Sequence, residues 1–106
     1  LSPRTKLVYL ANPNNPTGTW WRRDVLAEFL QRVPHSAVVV IDEAYREYVD
    51  ESEVPDALTL SEMHPHLIVT RTFSKAHGLA SLRTGYAISS PPLAAVLERT
   101  RLTFNV

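Results

Sequence analysis

Cysteine is absent from this chain of 106 residues. Its absence excludes disulfide bonds, metal sites built on thiolates, and catalysis by a cysteine nucleophile. An excess of charge of one sign is also missing, because 11 basic residues balance 11 acidic ones. Since no run of five or six like charges occurs either, we expect neither a nucleic acid nor a polyanionic membrane surface as a partner.

Long apolar runs and a secretory leader are lacking as well. No apolar stretch approaches the length of a membrane span, and the first residues do not have the charged-then-apolar layout of a signal peptide. A cytoplasmic protein is therefore our default expectation. Apolar residues make up 44% of the chain, which is enough for one domain with a packed core. Because residues 1–6 lead straight into an apolar segment, we expect a fragment of a longer polypeptide.

Three short apolar segments recur at a regular interval. They begin at residues 7, 37 and 67, a spacing of 30 residues, and polar residues follow each of them at once. A strand–helix–strand unit also occupies about 30 residues. We therefore predict parallel strands over 7–11, 37–41 and 67–70. Their polar followers would meet at the carboxyl edge of the sheet, where open α/β sheets bind ligands.

The intervening segments predict helices and a fourth strand. Apolar residues at positions 25, 26, 29, 30 and 33 share one helical face, so we predict a helix over 22–33 that Pro34 ends. Asp56 is placed to cap a short helix reaching about residue 64, and residues 84–89 alternate as a strand. Ser90 is a candidate cap for a last helix. The predicted buried face of that helix comprises Leu93, Val96 and Leu97.

The unbroken apolar run at 37–41 indicates how the layers are arranged. A strand that is apolar throughout is typical of a parallel sheet covered on both faces. We therefore predict a strand buried on both faces and, with it, an α/β fold of three layers, α-β-α, around a mostly parallel sheet.

Lys75 is the first candidate for chemistry. It follows Ser74 just beyond the third predicted strand, and a lysine held in a desolvated pocket is a Schiff-base nucleophile. A single Ser-Lys pair is more often a solvated surface feature. The neighbouring strand ends must therefore decide between these two interpretations.

Asp42 directly follows the apolar run, and a carboxylate buried there needs a partner. The protonated ring nitrogen of a cofactor such as pyridoxal phosphate would be one partner, since such an acid keeps the ring able to accept electrons. A helix cap or a local Asx turn is the alternative for this aspartate.

Two further sets of polar residues lie on the predicted edge. Asn15 and Tyr45 offer an amide and a phenol for a phenolate oxygen, the alternatives being a proline-rich turn and a rim aromatic. Thr72, Ser74 and Arg83 suit a phosphate, the alternative for the arginine being a surface ion pair. We expect no metal site, because the four histidines are poorly spaced for ligation.

Together these segments resemble the fold-type I, class I and II aminotransferases. The motifs are Asn-Pro-Asn-Asn-Pro-Thr-Gly at 12–18, Asp-Glu-Ala-Tyr at 42–45 and Arg-Thr-Phe-Ser-Lys-Ala-His-Gly-Leu at 71–79. They are most similar to the histidinol-phosphate aminotransferase branch, and residues 101–106 resemble its Arg-x-Pro-Phe-Asn-Val stretch. Three residues depart from that pattern, where an aromatic, a glycine and a proline are usual: His77, Ser81 and Thr103.

The resemblance implies a role for each candidate residue. Lys75 would hold pyridoxal phosphate as a Schiff base and move the substrate proton, and Asp42 would pair with the ring nitrogen. The remaining implied roles are contacts to the ring hydroxyl by Asn15 and Tyr45, and contacts to the phosphate by Thr72, Ser74 and Arg83.

The resemblance also implies an activity. It is the transfer of an amino group from a donor such as histidinol phosphate to 2-oxoglutarate, in histidine biosynthesis, by a homodimer. Residues 1–106 would be a fragment of the pyridoxal-phosphate-binding large domain, with the small domain absent and no activity alone. The alternatives within the same chemistry are an aromatic-amino-acid aminotransferase and a related decarboxylase or lyase. The alternatives outside pyridoxal-phosphate chemistry are a cofactor-free interaction module and a nucleotide-binding domain. No glycine-rich phosphate loop follows the first strand, which weakens the nucleotide-binding alternative.

Overall fold

The sheet is mixed and has four strands. The computed structural model describes residues 1–50 and 52–104. The strands are β1 (Leu7–Ala11), β2 (Val38–Asp42), β3 (Leu67–Thr72) and β4 (Gly85–Ser89), and they lie side by side in that order. β1, β2 and β3 are parallel, and β4 is antiparallel to β3. The predicted α/β fold with a mostly parallel sheet is confirmed.

Two α-helices and three short 3-10 helices accompany the described strands. The α-helices are α1 (Arg23–Arg32) and α2 (Pro91–Thr100), and the 3-10 segments are Arg46–Tyr48, Ala57–Met63 and Ala80–Leu82. Asp24 in the first turn of α1 and Arg32 in its last turn favour the helix dipole. Within residues 1–50 and 52–104, neither α-helix has the length and apolar character that a bilayer crossing requires.

The two predicted caps have different outcomes. The Asp56 carboxylate accepts a hydrogen bond from the Leu58 amide at 2.9 Å, so it caps the 3-10 segment as predicted. Ser90 precedes α2 but makes no side-chain cap bond, because its hydroxyl donates instead to the Pro65 carbonyl at 3.3 Å. Ser90 therefore occupies the N-cap position as predicted, but its side chain does not cap the helix.

The core lies on one face of the sheet. It comprises Leu26, Leu30 and Val33 near α1, Ala57 and Leu60 of the 3-10 segment, and the strand residues Val39, Ile41, Leu67 and Val69. Val39 and Ile41 are fully buried, whereas Val38 and Val40 are only half-buried. Side chains alternate between the faces of a strand, and both covering elements lie on the same face. The prediction that this strand is buried on both faces is therefore wrong for the described chain.

The last helix also differs from its prediction. None of the ten residues of α2 is buried, with Val96 51% and Leu97 36% exposed and Leu93 half-exposed. α2 contacts β4, which is the edge strand of the described sheet. The periodicity correctly placed a helix, but the predicted burial of its apolar face is wrong.

Candidate active site

The parallel strands bring the polar motifs to one edge. The register pairs Ala11 with Asp42 and Asp42 with Thr70, so the strands end level with one another. The backbone amide of Asn12 donates to the Asp42 carbonyl at 2.9 Å, and the backbone amide of Glu43 donates to the Thr70 carbonyl at 2.9 Å. The polar segments that follow the three strands therefore begin at the same edge of the sheet.

Asn15 and Tyr45 meet as predicted. The Asn15 amide nitrogen donates to the Tyr45 hydroxyl at 2.9 Å, although the two residues are 30 positions apart in the chain. The loop that carries Asn15 folds on itself, because the Gly18 amide donates to the Asn14 carbonyl at 2.8 Å and Gly18 has a φ of +67°. Glycine adopts this left-handed conformation without steric cost. Both Asn-Pro bonds in the loop are cis.

Lys75 lies over the same tyrosine. Its Nζ is 5.3 Å from the centroid of the Tyr45 ring. A cation above an aromatic face is attracted by the ring quadrupole, which favours this position of the exposed amine. An open cleft of about 290 Å³ adjoins, lined in part by Asn15, Tyr45 and Tyr48. The amine, the phenol and the amide thus form one contiguous cluster.

Asp42 uses its two carboxylate oxygens differently. Oδ1 accepts from the Ala44 amide at 3.0 Å, which is the local Asx turn weighed as an alternative. Oδ2 accepts from the hydroxyl of Tyr9 in β1. This bond to the carboxylate, together with burial and the charge of Asp42, raises the pKa of Tyr9. Tyr9 was not predicted as a site residue, because nothing in the pattern of β1 distinguishes it from an ordinary strand aromatic.

The predicted phosphate set is only partly assembled. The Ser74 amide donates to the Thr72 hydroxyl at 3.1 Å, so these two residues share one turn. Arg83 is exposed, has a φ of 51°, and donates from Nη1 to the Ala80 carbonyl at 2.8 Å. Among the described residues its guanidinium therefore bonds its own turn rather than Thr72 or Ser74.

A buried ion network lies behind the site and was missed from the sequence. Glu43 is 2% exposed; its Oε2 accepts a hydrogen bond from Nε of Arg71 at 2.8 Å and forms an ion pair with Nη2, also at 2.8 Å. Arg71 Nη2 also contacts Asp56 Oδ1 at 2.8 Å, and Arg46 Nη1 lies 3.2 Å from Asp56 Oδ2. A signal in the sequence could have found it, since Glu43 and Arg71 have opposite charges and stand within two residues of the ends of neighbouring apolar runs.

The contacts of Arg71 and Glu43 also connect the ends of β2 and β3. Burial lowers the pKa of Arg71, but the hydrogen bond and charge of Glu43, with Tyr86 and Asp56, outweigh burial, so the pKa is raised overall. The other Glu43 oxygen accepts from the Ala57 amide at 2.8 Å. Glu43 adjoins Asp42 in sequence, and Arg71 adjoins Thr72. The network therefore couples the exits of β2 and β3.

Three of the four histidines lie away from this edge of the sheet. His64 and His66 precede β3, His35 precedes β2, and the ring centroids of His64 and His35 are 5.6 Å apart. His64 is fully buried, and burial is the main cause that lowers its pKa. Within residues 1–50 and 52–104, no cluster of three potential ligands is placed to hold a metal ion. Residues 105 and 106 of the predicted terminal motif lie outside the described residues.

The donor set fits pyridoxal phosphate. A primary amine, a carboxylate, an amide–phenol pair and two hydroxyl-bearing residues lie on one sheet edge, and an exposed guanidinium follows them in the chain. The amine matches the aldehyde of the cofactor, the carboxylate its ring nitrogen, and the amide–phenol pair its ring hydroxyl. The two hydroxyls and the guanidinium match its phosphate.

Comparison with known proteins supports this chemistry. A family model described as aminotransferase class I and II matches residues 1–106. The chain is 57% identical over 103 residues to histidinol-phosphate aminotransferase 2 of Pseudomonas aeruginosa, covering 97% of this chain and 28% of that protein. It is 51% identical over 106 residues to an aromatic amino acid aminotransferase of Streptomyces avermitilis, covering 100% of this chain and 30% of that protein.

Solved structures of an aminotransferase and of a decarboxylase share the fold of this chain. The histidinol-phosphate aminotransferase of Sinorhizobium meliloti, in complex with pyridoxal 5'-phosphate, matches with a TM-score of 0.81 at 43% identity, over 90% of this chain and 26% of that one. The L-threonine-O-3-phosphate decarboxylase of Porphyromonas gingivalis matches with a TM-score of 0.76 at 26% identity, over 89% and 28%. The chain thus spans less than a third of the length of these proteins.

Proposed function

The chain belongs to the class I and II aminotransferases, and from that premise we propose that it is part of the large domain of a pyridoxal-phosphate-dependent aminotransferase. The small domain would then lie outside residues 1–106. We propose histidinol phosphate as the amino donor, 2-oxoglutarate as the acceptor and histidine biosynthesis as the role. The observation that carries the proposal is the cluster in which Lys75 lies over Tyr45, whose hydroxyl is held by Asn15.

Each residue of the cluster has a defined task in this proposal. Pyridoxal phosphate, when bound, supplies a ring that accepts electrons from the substrate carbon. Lys75 provides the amine that attaches covalently and then carries a proton to and from that carbon. Asp42 provides the negative charge that keeps the ring nitrogen protonated. Asn15 and Tyr45 donate hydrogen bonds to the ring oxygen.

The phosphate group would be held at the end of β3. Thr72 and Ser74 share one turn there, and exposed Arg83 offers a planar fork that matches a phosphate in bidentate geometry. Backbone amides of the same turn would add donors. Histidinol phosphate brings a second phosphate, and none of these residues is assigned to it.

An aromatic amino acid is the second candidate donor. Its support is the relative from Streptomyces avermitilis, whose 51% identity is close to the 57% of the Pseudomonas aeruginosa relative. A decarboxylase has weaker support, since the matching structure from Porphyromonas gingivalis is only 26% identical. A homodimer and a cytoplasmic location stay predictions.

The experiment uses a full-length form, meaning a polypeptide of the relatives' length that contains residues 1–106. Borohydride reduction of this form with bound pyridoxal phosphate, followed by peptide mapping, should place the label on Lys75. Lys75→Arg, which keeps the positive charge, should remove the label and the activity. A label on Lys6 would contradict the assignment, and higher kcat/KM with phenylalanine than with histidinol phosphate would favour the second donor.

A further inference from the structure

We propose that Tyr9 is a positioning residue, whose hydroxyl holds the Asp42 carboxylate correctly turned toward the cofactor's ring nitrogen. This inference rests on the proposed function and deepens it. Tyr9 belongs to none of the sequence motifs of the site, and it lies 33 positions before Asp42. Its contribution is therefore visible only in the folded chain.

The register of β1 and β2 makes the contact possible. Tyr9 pairs with Val40, and Asp42 pairs with Ala11, so Tyr9 and Asp42 are diagonal neighbours on one face of the sheet. Diagonal neighbours in a sheet lie within reach of an aromatic side chain. The Tyr9 hydroxyl therefore reaches the carboxylate at the end of β2, where it donates to Oδ2.

Two bonds together set the orientation of the carboxylate. The Ala44 amide donates to Oδ1 at 3.0 Å, and the Tyr9 hydroxyl donates to Oδ2. An ionised carboxylate has about four lone-pair sites, so acceptor capacity remains for the ring nitrogen. With one donor on each oxygen, the plane of the carboxylate is fixed before the cofactor binds.

The contact also acts on the phenol. The pKa of Tyr9 is raised first by its hydrogen bond to Asp42, and then by burial and by the charge of that carboxylate, while Thr70 in β3 opposes the rise. The protonated phenol is the form that donates to the carboxylate.

Packing does not explain a tyrosine at this position. Tyr9 is 58% exposed and lies outside the buried core, which occupies the other face of the sheet. A phenylalanine would serve equally well as a strand residue. The hydroxyl is therefore the feature that distinguishes Tyr9, and removing it alone is the direct test.

The experiment compares Tyr9→Phe with Thr100→Val in the full-length form. Thr100 is exposed at the end of α2, and its hydroxyl bonds only the Leu97 carbonyl among the described residues, so this variant is a control that loses one hydroxyl away from the site. Tyr9→Phe should lower kcat by roughly 10- to 100-fold with KM nearly unchanged. It should also shift the pH titration of the bound cofactor's visible absorbance, whereas Thr100→Val should change neither. Unchanged kcat and absorbance in Tyr9→Phe would overturn the proposal, and so would a lowered melting temperature, since that would indicate a structural role.

A second measurement needs no cofactor. The phenol of Tyr9 is titrated by ultraviolet difference spectroscopy, as the difference between the parent protein and Tyr9→Phe, in the cofactor-free full-length form. Asp42→Asn should lower the pKa of Tyr9, because the charged acceptor is lost. If this shift occurs while no transamination is found, the proposed function fails and the tyrosine–aspartate pair stands. If no shift occurs, the positioning proposal is overturned whatever the activity.

Discussion

Arg71→Met tests how strongly the buried ion network supports the candidate site. The substitution leaves Glu43, which is 2% exposed, without its hydrogen bond and its ion-pair contact to Arg71, each at 2.8 Å. Removing one partner of a buried ion pair costs about 3–5 kcal/mol, because the other charge stays buried. Arg46 remains 3.7 Å from Glu43 and 3.2 Å from Asp56, so it offsets part of the loss. We therefore expect a cost at the lower end, about 3 kcal/mol.

Amide hydrogen exchange in the full-length form measures this cost locally. The Ala57 amide donates to Glu43 at 2.8 Å, so its exchange requires the network to open. A loss of about 3 kcal/mol corresponds to exchange that is roughly 150-fold faster. Arg32→Met is the control, since the pair of Arg32 with Glu28 has a shorter contact of 2.7 Å but is 77% and 61% exposed. Its cost should stay below about 0.5 kcal/mol, or roughly twofold. Equal effects of the two substitutions would refute the reasoning that burial sets the strength of the pair.

Three further predictions concern Asp42, residues 1–106 alone and His64. Asp42→Ala in the full-length form should lower kcat by several orders of magnitude while the cofactor still attaches to Lys75, and near-normal turnover would contradict the role of the carboxylate. Residues 1–106 alone should not transaminate histidinol phosphate in a coupled assay and should associate in light scattering, because β1 and β4 are edge strands; turnover by a monomer would contradict this. Burial lowers the pKa of His64 below 6.5, so stability is fully present above pH 6.5 and declines as the pH falls toward the folded-state pKa. His64→Leu should remove that decline in urea unfolding compared at about pH 7.5 and about pH 5.5, and an unchanged decline would exclude His64 as its cause.

The order and type of the described elements followed from local pattern. Short apolar runs with polar followers predicted β1, β2 and β3 to within two residues at their ends, and the spacing of apolar residues together with Pro34 predicted α1. These features depend on backbone preference and periodicity, which act over a few residues. The meeting of Asn15 with Tyr45 was also predictable, because parallel strands end at the same edge of a sheet.

Burial and side-chain pairing were decided by the tertiary structure. Helical periodicity shows that Leu93, Val96 and Leu97 share a face, but burial requires a neighbouring layer that α2 does not meet among the described residues. An apolar strand such as β2 is compatible with one covered face as well as with two.

The partners of Asp42 and Glu43 are likewise a matter of register and not of local sequence. A slip of one residue between β1 and β2 would turn Tyr9 to the other face and away from the carboxylate. Local sequence thus determined where the chemical groups occur along the chain. The lateral alignment of strands more than 25 residues apart decided which groups touch, because that alignment depends on packing across the whole sheet.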